Sequence, residues 1–102
     1  MPVEPIEIHI VKKLVRAGLR RYWTVSIFSR NEWVIEKSRK EREIFRKMFT
    51  ADVEKVRFRT MIGKFVGDVM LLYGLGDGVI TDWSHRHDIN AVVEEANKPD
   101  EP

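Results

Sequence analysis

The chain has 102 residues, of which 43% are hydrophobic and 33% are charged, and its formal net charge is +2. This size and composition are typical of one globular domain with one modest core, and they exclude a largely disordered chain. The absence of cysteine excludes disulfides, thiolate metal sites and a cysteine nucleophile, and no apolar run reaches the roughly 18 residues of a membrane span.

The small net charge hides an asymmetry along the chain. Residues 12–64 carry sixteen Lys and Arg against six acids, a net charge of +10, whereas residues 68–102 carry a net charge of −6. A chain with such opposed halves can attract a polyanion at one end, or a second copy of itself. Residues 1–10 hold acids where a secretion signal needs positive charge, so we expect a cytoplasmic location.

Residues 5–20 predict a helix. Pro5 suits the first helical position, and apolar residues then recur at helical spacing from Ile6 to Val15. Isoleucines alternate over residues 6–10, as they would in a strand, so helix and strand both stay open for this first part.

Two stretches predict β-hairpins. Residues 22–37 and residues 67–82 each hold two apolar runs around a polar break, Ser29–Glu32 in the first and Gly74–Gly78 in the second. The glycine-rich break lacks the Gly-Lys-Ser/Thr ending of a phosphate-binding loop and precedes a predicted strand. We therefore interpret it as a tight turn.

Helices are predicted beside both hairpins. Ser38 opens a capping-box pattern before a helix over residues 38–49, and Thr50 opens a further helix that reaches Val66. Ser84 is predicted to cap a last helix with a short apolar stretch.

Both halves thus share the order helix, strand, strand, helix. The two motifs span about residues 5–49 and 51–96, and residues 97–102 are expected to be a disordered tail. We expect a single α+β domain in which two copies, related by a pseudo-twofold axis, join their hairpins into one antiparallel sheet covered by helices. A groove would lie between the copies. The alternative is chance, because α+β domains often run helix, hairpin, helix.

In length, lack of cysteine and repeat layout, the chain resembles a small orphan protein of a filamentous virus that infects hyperthermophilic archaea. The resemblance covers the whole chain and involves no signature motif, so it assigns no individual residue. It implies no enzymatic role, a location inside the host cell, and a peptide-binding groove between the two copies.

Aromatic residues in or beside the hairpins are the candidate partner-binding residues. A two-layer domain of this size cannot bury all of them, and exposed aromatics commonly anchor partners, although the core is the alternative for each one. The candidates are Trp33, Trp83, Tyr73 and Tyr22. We therefore predict a non-enzymatic module that binds a protein or peptide, in the groove between the motifs or at a sheet edge. A homodimer is compatible with the opposed charges.

Nucleic-acid binding through the basic helix 38–49 is the alternative function. Lysine and arginine side chains along one helix face can follow phosphates. The cations are Arg39, Arg42, Arg46, Lys40 and Lys47. Glutamates four residues away can pair with several of them, so a solvated helix face is the competing interpretation.

His85 and His87 form the one metal-like pattern. Histidines two residues apart diverge by about 200° on a helix, so we prefer a histidine pair at a helix start over a metal site. No serine has a base near it in sequence, and no two carboxylates share an apolar pocket. We therefore predict no catalytic residue, no metal, no cofactor and no enzymatic activity.

Overall fold

Five strands and three α-helices make up residues 3–100, the part of the chain that the computed structural model describes. Their order is α1 (Pro5–Arg20), β1 (Trp23–Ser29), β2 (Glu32–Ser38), α2 (Glu41–Lys47), β3 (Val53–Thr60), β4 (Phe65–Leu72), β5 (Ile80–Trp83) and α3 (His87–Asn97), with a 3-10 turn at Gly76–Gly78. The strands form one antiparallel sheet in the order β2-β1-β3-β4-β5. The predicted α+β class and antiparallel sheet are confirmed. No helix within residues 3–100 is long and apolar enough to cross a membrane.

Helix α1 and both hairpins agree with the sequence patterns. Residues 6–10, left open between helix and strand, are helical. The backbone N–H of Glu4 donates to the side chain of Glu7 at 2.9 Å, which satisfies one of the free donors at the helix start. After α1 the chain turns into β1 at Tyr22, whose φ of 63° lies in the left-handed region.

The predicted helix from Thr50 to Val66 is wrong. This segment forms β3 and the start of β4. The physical reason is that β3 lies in the middle of the sheet, where β1 and β4 pair with it along both sides. Its side chains alternate, with Val56 and Phe58 fully buried and their neighbours on the other face.

The second half of the chain therefore runs strand, strand, strand, helix. Strands β1 and β4 are both antiparallel to β3, so the two hairpins start in the same direction. A twofold axis normal to the sheet would make them start in opposite directions. The structure does not show the predicted pseudo-twofold repeat.

The two serines predicted as helix caps bind elsewhere. Ser38 is the last residue of β2, and its Oγ accepts the backbone N–H of Lys40 at 3.1 Å, just before α2 begins. Ser84 Oγ accepts the backbone N–H of Asp68 at 3.0 Å and so ties the end of β5 to β4. Neither α2 nor α3 has a side-chain cap, so both capping predictions are wrong.

The three helices lie on one face of the sheet. Phe58 and Gly67 are cross-strand neighbours, with Gly18 of α1 against the ring of Phe58 and Ile89 of α3 against Gly67. Helix α2 lies beside α1, where Phe45 contacts Lys12 and Arg16. The core fills the space between these helices and the sheet. We call the other face, which no helix covers within residues 3–100, the open face.

Residues 98–100, part of the segment predicted to be a disordered tail, contact α1. Lys13 Nζ donates to the backbone oxygen of Lys98 and, at 3.2 Å, to Oδ1 of Asp100. Hydrogen bonds from His9 and Lys13 lower the pKa of the Asp100 carboxyl from its ordinary value. Residues 101 and 102 lie outside the described residues.

The close approach of α1 to β3 predicts that Gly18→Ala destabilises the protein. A Cβ at this position would lie 2.2 Å from Cε1 of Phe58, whose ring is fully buried and also contacts Trp23. Alanine is favoured over glycine in helices by about 1 kcal/mol, but overpacking a core costs about 1–3 kcal/mol. Because 2.2 Å is far inside any real Cβ contact, the overpacking cost lies at the upper end, and we expect a net loss of about 2 kcal/mol in the free energy of unfolding, measured by urea denaturation.

Gly78→Ala is the matched control. The nearest atom to its added Cβ, Cβ of Leu75, would lie at 3.8 Å, an ordinary contact. We expect a change within about 0.5 kcal/mol. Equal urea midpoints for the two variants would contradict the packing of α1 on β3.

Candidate functional site

The four candidate aromatic residues lie in four different environments. Tyr73 is only 2% exposed, whereas Tyr22 is 73% exposed at the end of α1. Trp33 is half-buried on the open face, and Trp83 is half-buried at the end of β5. Because β2 and β5 are the two edges of the sheet, the structure does not bring the two tryptophans together.

Tyr73 belongs to a buried polar cluster around Glu54. Its hydroxyl donates to Oε1 of Glu54 at 2.7 Å, and the backbone N–H groups of Phe49 and Thr50 donate to the same carboxylate at 2.9 and 3.2 Å. Ser29 Oγ donates to it at 2.8 Å. The cluster joins the ends of β1 and β4 to the start of β3, so Tyr73 is not available to a partner. Sequence reasoning missed Glu54 because it placed this residue in a helix.

The glycine-rich turn binds a carboxylate of the chain itself. The backbone N–H groups of Gly74 and Leu75 donate to Oε2 of Glu7, at 2.7 and 3.0 Å, and Glu7 is fully buried. The interpretation of this segment as a turn is confirmed. Its amides hold the turn against the start of α1.

Of the basic residues of the predicted helix 38–49, one makes hydrogen bonds within the fold and four are exposed to solvent. Arg39 donates to the backbone oxygens of Trp23 at 2.6 Å and Leu19 at 3.1 Å, so its guanidinium joins α1 to β1. The other four are exposed; three belong to α2, a helix of only seven residues, and one is its N-cap. They are Lys40, Arg42, Arg46 and Lys47.

The histidine pattern does not gather further ligands. His87 is the first residue of α3, and Nε2 of His85 lies 3.9 Å from Oδ1 of Asp82. Within residues 3–100, no three His, Cys, Asp or Glu side chains come together as a metal site.

A groove lies between Trp83, the last residue of the edge strand β5, and α3. Its volume is about 640 Å³. The indole Nε1–H of Trp83 donates to Oδ1 of Asn90 at 2.8 Å, which fixes the ring against α3. We call this the edge groove; its lining residues are Trp83, Asn90, Val93, Glu94, Asn97 and Lys98.

A second depression lies between the two halves of the chain. Its volume is about 520 Å³, and it lies where the start of β1, the end of β2 and the β3–β4 turn meet. Its lining is mostly polar and charged, with residues such as Thr24, Ser38 and Lys40 from the first half and Thr60 and Met61 from the second. The remainder of the boundary between the halves is the β1–β3 ladder, so the sheet continues across it.

The open face carries aromatic rings and cations in contact with each other. The rings of Phe28 and Trp33, neighbours across β1 and β2, meet edge to face at 5.2 Å. The guanidinium carbon of Arg57 lies 4.8 Å from the ring centre of Trp33 and 5.3 Å from that of Phe65. Two hydrogen bonds of 2.7 and 2.9 Å from Arg57 to Asp68 fix the guanidinium in this position. Sequence reasoning missed this surface, although the alternating pattern of β3 could have indicated it.

Comparison of this chain with protein-family profiles, curated proteins and solved structures finds no match.

The buried Tyr73 predicts a loss of stability in alkaline solution. Burial, the charge of Glu54 and the hydrogen bond to Glu54 raise its pKa above the ordinary value near 10. Stability from the protonated hydroxyl is present below about pH 10 and is lost as the pH rises above it, because only the unfolded chain then releases the proton. We expect the free energy of unfolding to fall by about 1.4 kcal/mol per pH unit from this group, measured by urea denaturation between about pH 10 and 12.

Tyr73→Phe is the control for that measurement. It has no proton to release at this position, so we expect a shallower decline of stability with pH. The same slope in both proteins would show that Tyr73 ionises freely in the folded state.

Proposed function

We propose that this chain is a non-enzymatic binding module that takes an extended peptide of a partner protein in the edge groove. The observation that carries the proposal is that a half-buried tryptophan, the last residue of an edge strand, forms one wall of a groove whose other wall is a helix. Binding of an extended peptide beside an edge strand, with a helix as the second wall, is a recurring mode of peptide recognition.

The backbone of β5 can supply the hydrogen bonds of strand addition. The N–H of Ser84 donates to the backbone oxygen of Asp68 in β4 at 2.9 Å, so by alternation the N–H of Trp83 points away from the sheet. That N–H donates to Oδ1 of the adjacent Asp82 at 2.9 Å. An incoming peptide carbonyl can replace this exposed carboxylate.

Side chains of the groove can supply the contacts that select a peptide. Trp83 gives an apolar surface fixed by Asn90, and tryptophans in such positions often dominate binding energy. Glu94 and Lys98 lie exposed at the rim and offer one charge of each sign. We expect the peptide to place an apolar side chain on Trp83 and polar groups at the rim.

The hydrogen bonds of the serines support a role without catalysis. Ser38 and Ser84 bind backbone N–H groups, and the hydroxyl of Ser29 donates to a carboxylate that is itself buried. A nucleophile needs an adjacent base and room for a substrate, and these hydroxyls are engaged in holding strand ends.

Three further expectations from the sequence remain proposals. The first is a duplicated motif. In that case the peptide would bind in the depression between the halves, which is the competing site for the same function. The resemblance to a small orphan viral protein agrees with a binding role inside the host cell. A second copy of this chain is also a partner to consider, because β5 is an edge strand that can pair with another strand.

The proposal is tested by selection from a phage-displayed library of random 12-residue peptides. We expect the selected peptides to shift the NMR signals of the Trp83 indole, Asn90 and the β5 amides. Trp83→Ala should weaken binding by about 2 kcal/mol, roughly thirtyfold, because it removes the apolar surface of the groove. Affinity is measured by titration calorimetry.

Trp33→Ala is the matched control, since it removes a half-buried tryptophan from the opposite edge of the sheet. We expect unchanged peptide affinity. Shifts centred on Thr24, Ser38 and Thr60 would place the site between the halves instead. A failure to select any peptide, with sedimentation showing a monomer, would refute the proposal.

A further inference from the structure

We propose that the open face of the sheet is a binding site for single-stranded nucleic acid, independent of the edge groove. Exposed aromatic rings next to cations on an antiparallel sheet are the combination that such ligands need. The bases stack on rings and guanidinium planes, and the cations meet the phosphates.

The cations follow one line across the face. Lys55, Arg57 and Arg59 occupy alternate positions of β3, so they succeed each other about every 7 Å along the strand. Beyond Lys55, a depression of about 320 Å³ is bordered by Arg30. Beyond Arg59, the depression between the halves is bordered by both cations and acids, among them Lys40 and Glu43. The three cations of β3, with Arg30 beyond Lys55, form a cationic track.

Rings accompany the cations along this track. Phe28 lies 5.7 Å from Nζ of Lys55, and Arg57 lies between Trp33 and Phe65. Phe65 is 41% exposed, which is high for a phenylalanine on a sheet. Its ring is also 6.0 Å from the guanidinium carbon of Arg86. Because Asp68 fixes Arg57 by two hydrogen bonds, the guanidinium is held in place before any ligand arrives.

The charge of the face selects an anionic ligand. The face carries four positive charges, from Lys55, Arg57, Arg59 and Arg86. It carries two negative charges, from Asp68 and from Asp82, which lies opposite Met70 of β4. Arg59 directs one nitrogen to Ser26 Oγ at 2.9 Å, and its other N–H groups can bind a phosphate. A peptide that matched this face would have to be strongly acidic and rich in flat side chains.

The shape of the face favours one strand over a duplex. The rings and cations lie on the sheet surface itself, and β3 spans about 26 Å, a length suited to a few unstacked nucleotides. Helix α2 carries another basic surface, but it is short and has no row of aromatic rings beside its exposed cations. We therefore assign the site to the sheet and not to α2.

Fluorescence anisotropy with labelled dT12 and rU12 tests the site. We expect binding at about 20 mM salt, with log K falling against log salt at a slope near −2. This slope counts Lys55, Arg59 and Arg86 at about 0.7 each and leaves out Arg57, which is paired with Asp68. Trp33→Ala should weaken binding about tenfold, because it removes one stacking surface. Lys55→Ala should reduce the size of the slope by about 0.7. Comparing dT12 with rU12 shows whether the ligand is DNA or RNA.

Two controls separate this site from the other surfaces. Arg42→Glu with Arg46→Glu reverses charge on α2, and we expect less than a threefold loss of affinity, in contrast to Lys55→Glu with Arg59→Glu, which should abolish binding. Trp83→Ala should leave oligonucleotide binding unchanged. Circular dichroism confirms that each variant is folded. Arg57 is left unchanged, because removing it would leave Asp68 without its partner.

Three results would overturn the proposal. One is the absence of oligonucleotide binding at low salt by the folded wild-type protein. Another is equal or tighter binding of a 12-base-pair duplex, and the third is a loss of binding that follows the α2 variant and not Trp33→Ala. Peptide binding in the edge groove is unaffected by any of these, so the two proposals can fail separately.

Discussion

The pairing of β3 on both of its sides is the constraint on which the rest of the structure depends. This strand carries hydrogen bonds to β1 from the first half and to β4 from the second half, so neither half completes the sheet alone. Its buried side chains, Val56 and Phe58, meet α1 and the cross-strand core. Its first residues anchor the Glu54 cluster, which ties the ends of β1 and β4 to it. The sheet, the core and the open face all follow from this one position.

The hairpins could be predicted because their signals are local. Alternating apolar residues around a polar or glycine-rich break specify two strands and the turn between them, whatever the rest of the chain does. Helix α1 could also be predicted, since the proline and the apolar spacing agree. Strand β3 could not be predicted in the same way, because the residue types of Thr50–Asp52 are typical of a helix start. In the structure, Thr50 instead binds Glu54 through its N–H, and the partners of β3 come from distant segments.

The candidate site was foreseen only in part, for related reasons. Trp33 and Trp83 both reach the surface, as aromatic residues next to hairpin turns and strand ends often do. Tyr73 does not, because its hydroxyl binds a carboxylate from β3 that no local pattern connects to it. The cations of the open face were hidden by the same error, since on a helix Lys55, Arg57 and Arg59 would not share a face. The wrong assignment of β3 to a helix therefore also prevented the prediction of the open face.

The strand order also bears on how the chain behaves while it is being synthesised. Strand β1 ends at Ser29 and can pair with β2 at once, but β3, its other neighbour, begins only at Val53. At about 5–20 residues per second, the nascent chain presents the unprotected side of β1 for roughly a few seconds. An open strand edge is a template for aggregation, and β1 contains Val25 and Ile27. Helix α1 leaves the ribosome before β1 and packs on it, so it is placed to cover the apolar face of β1 during the interval.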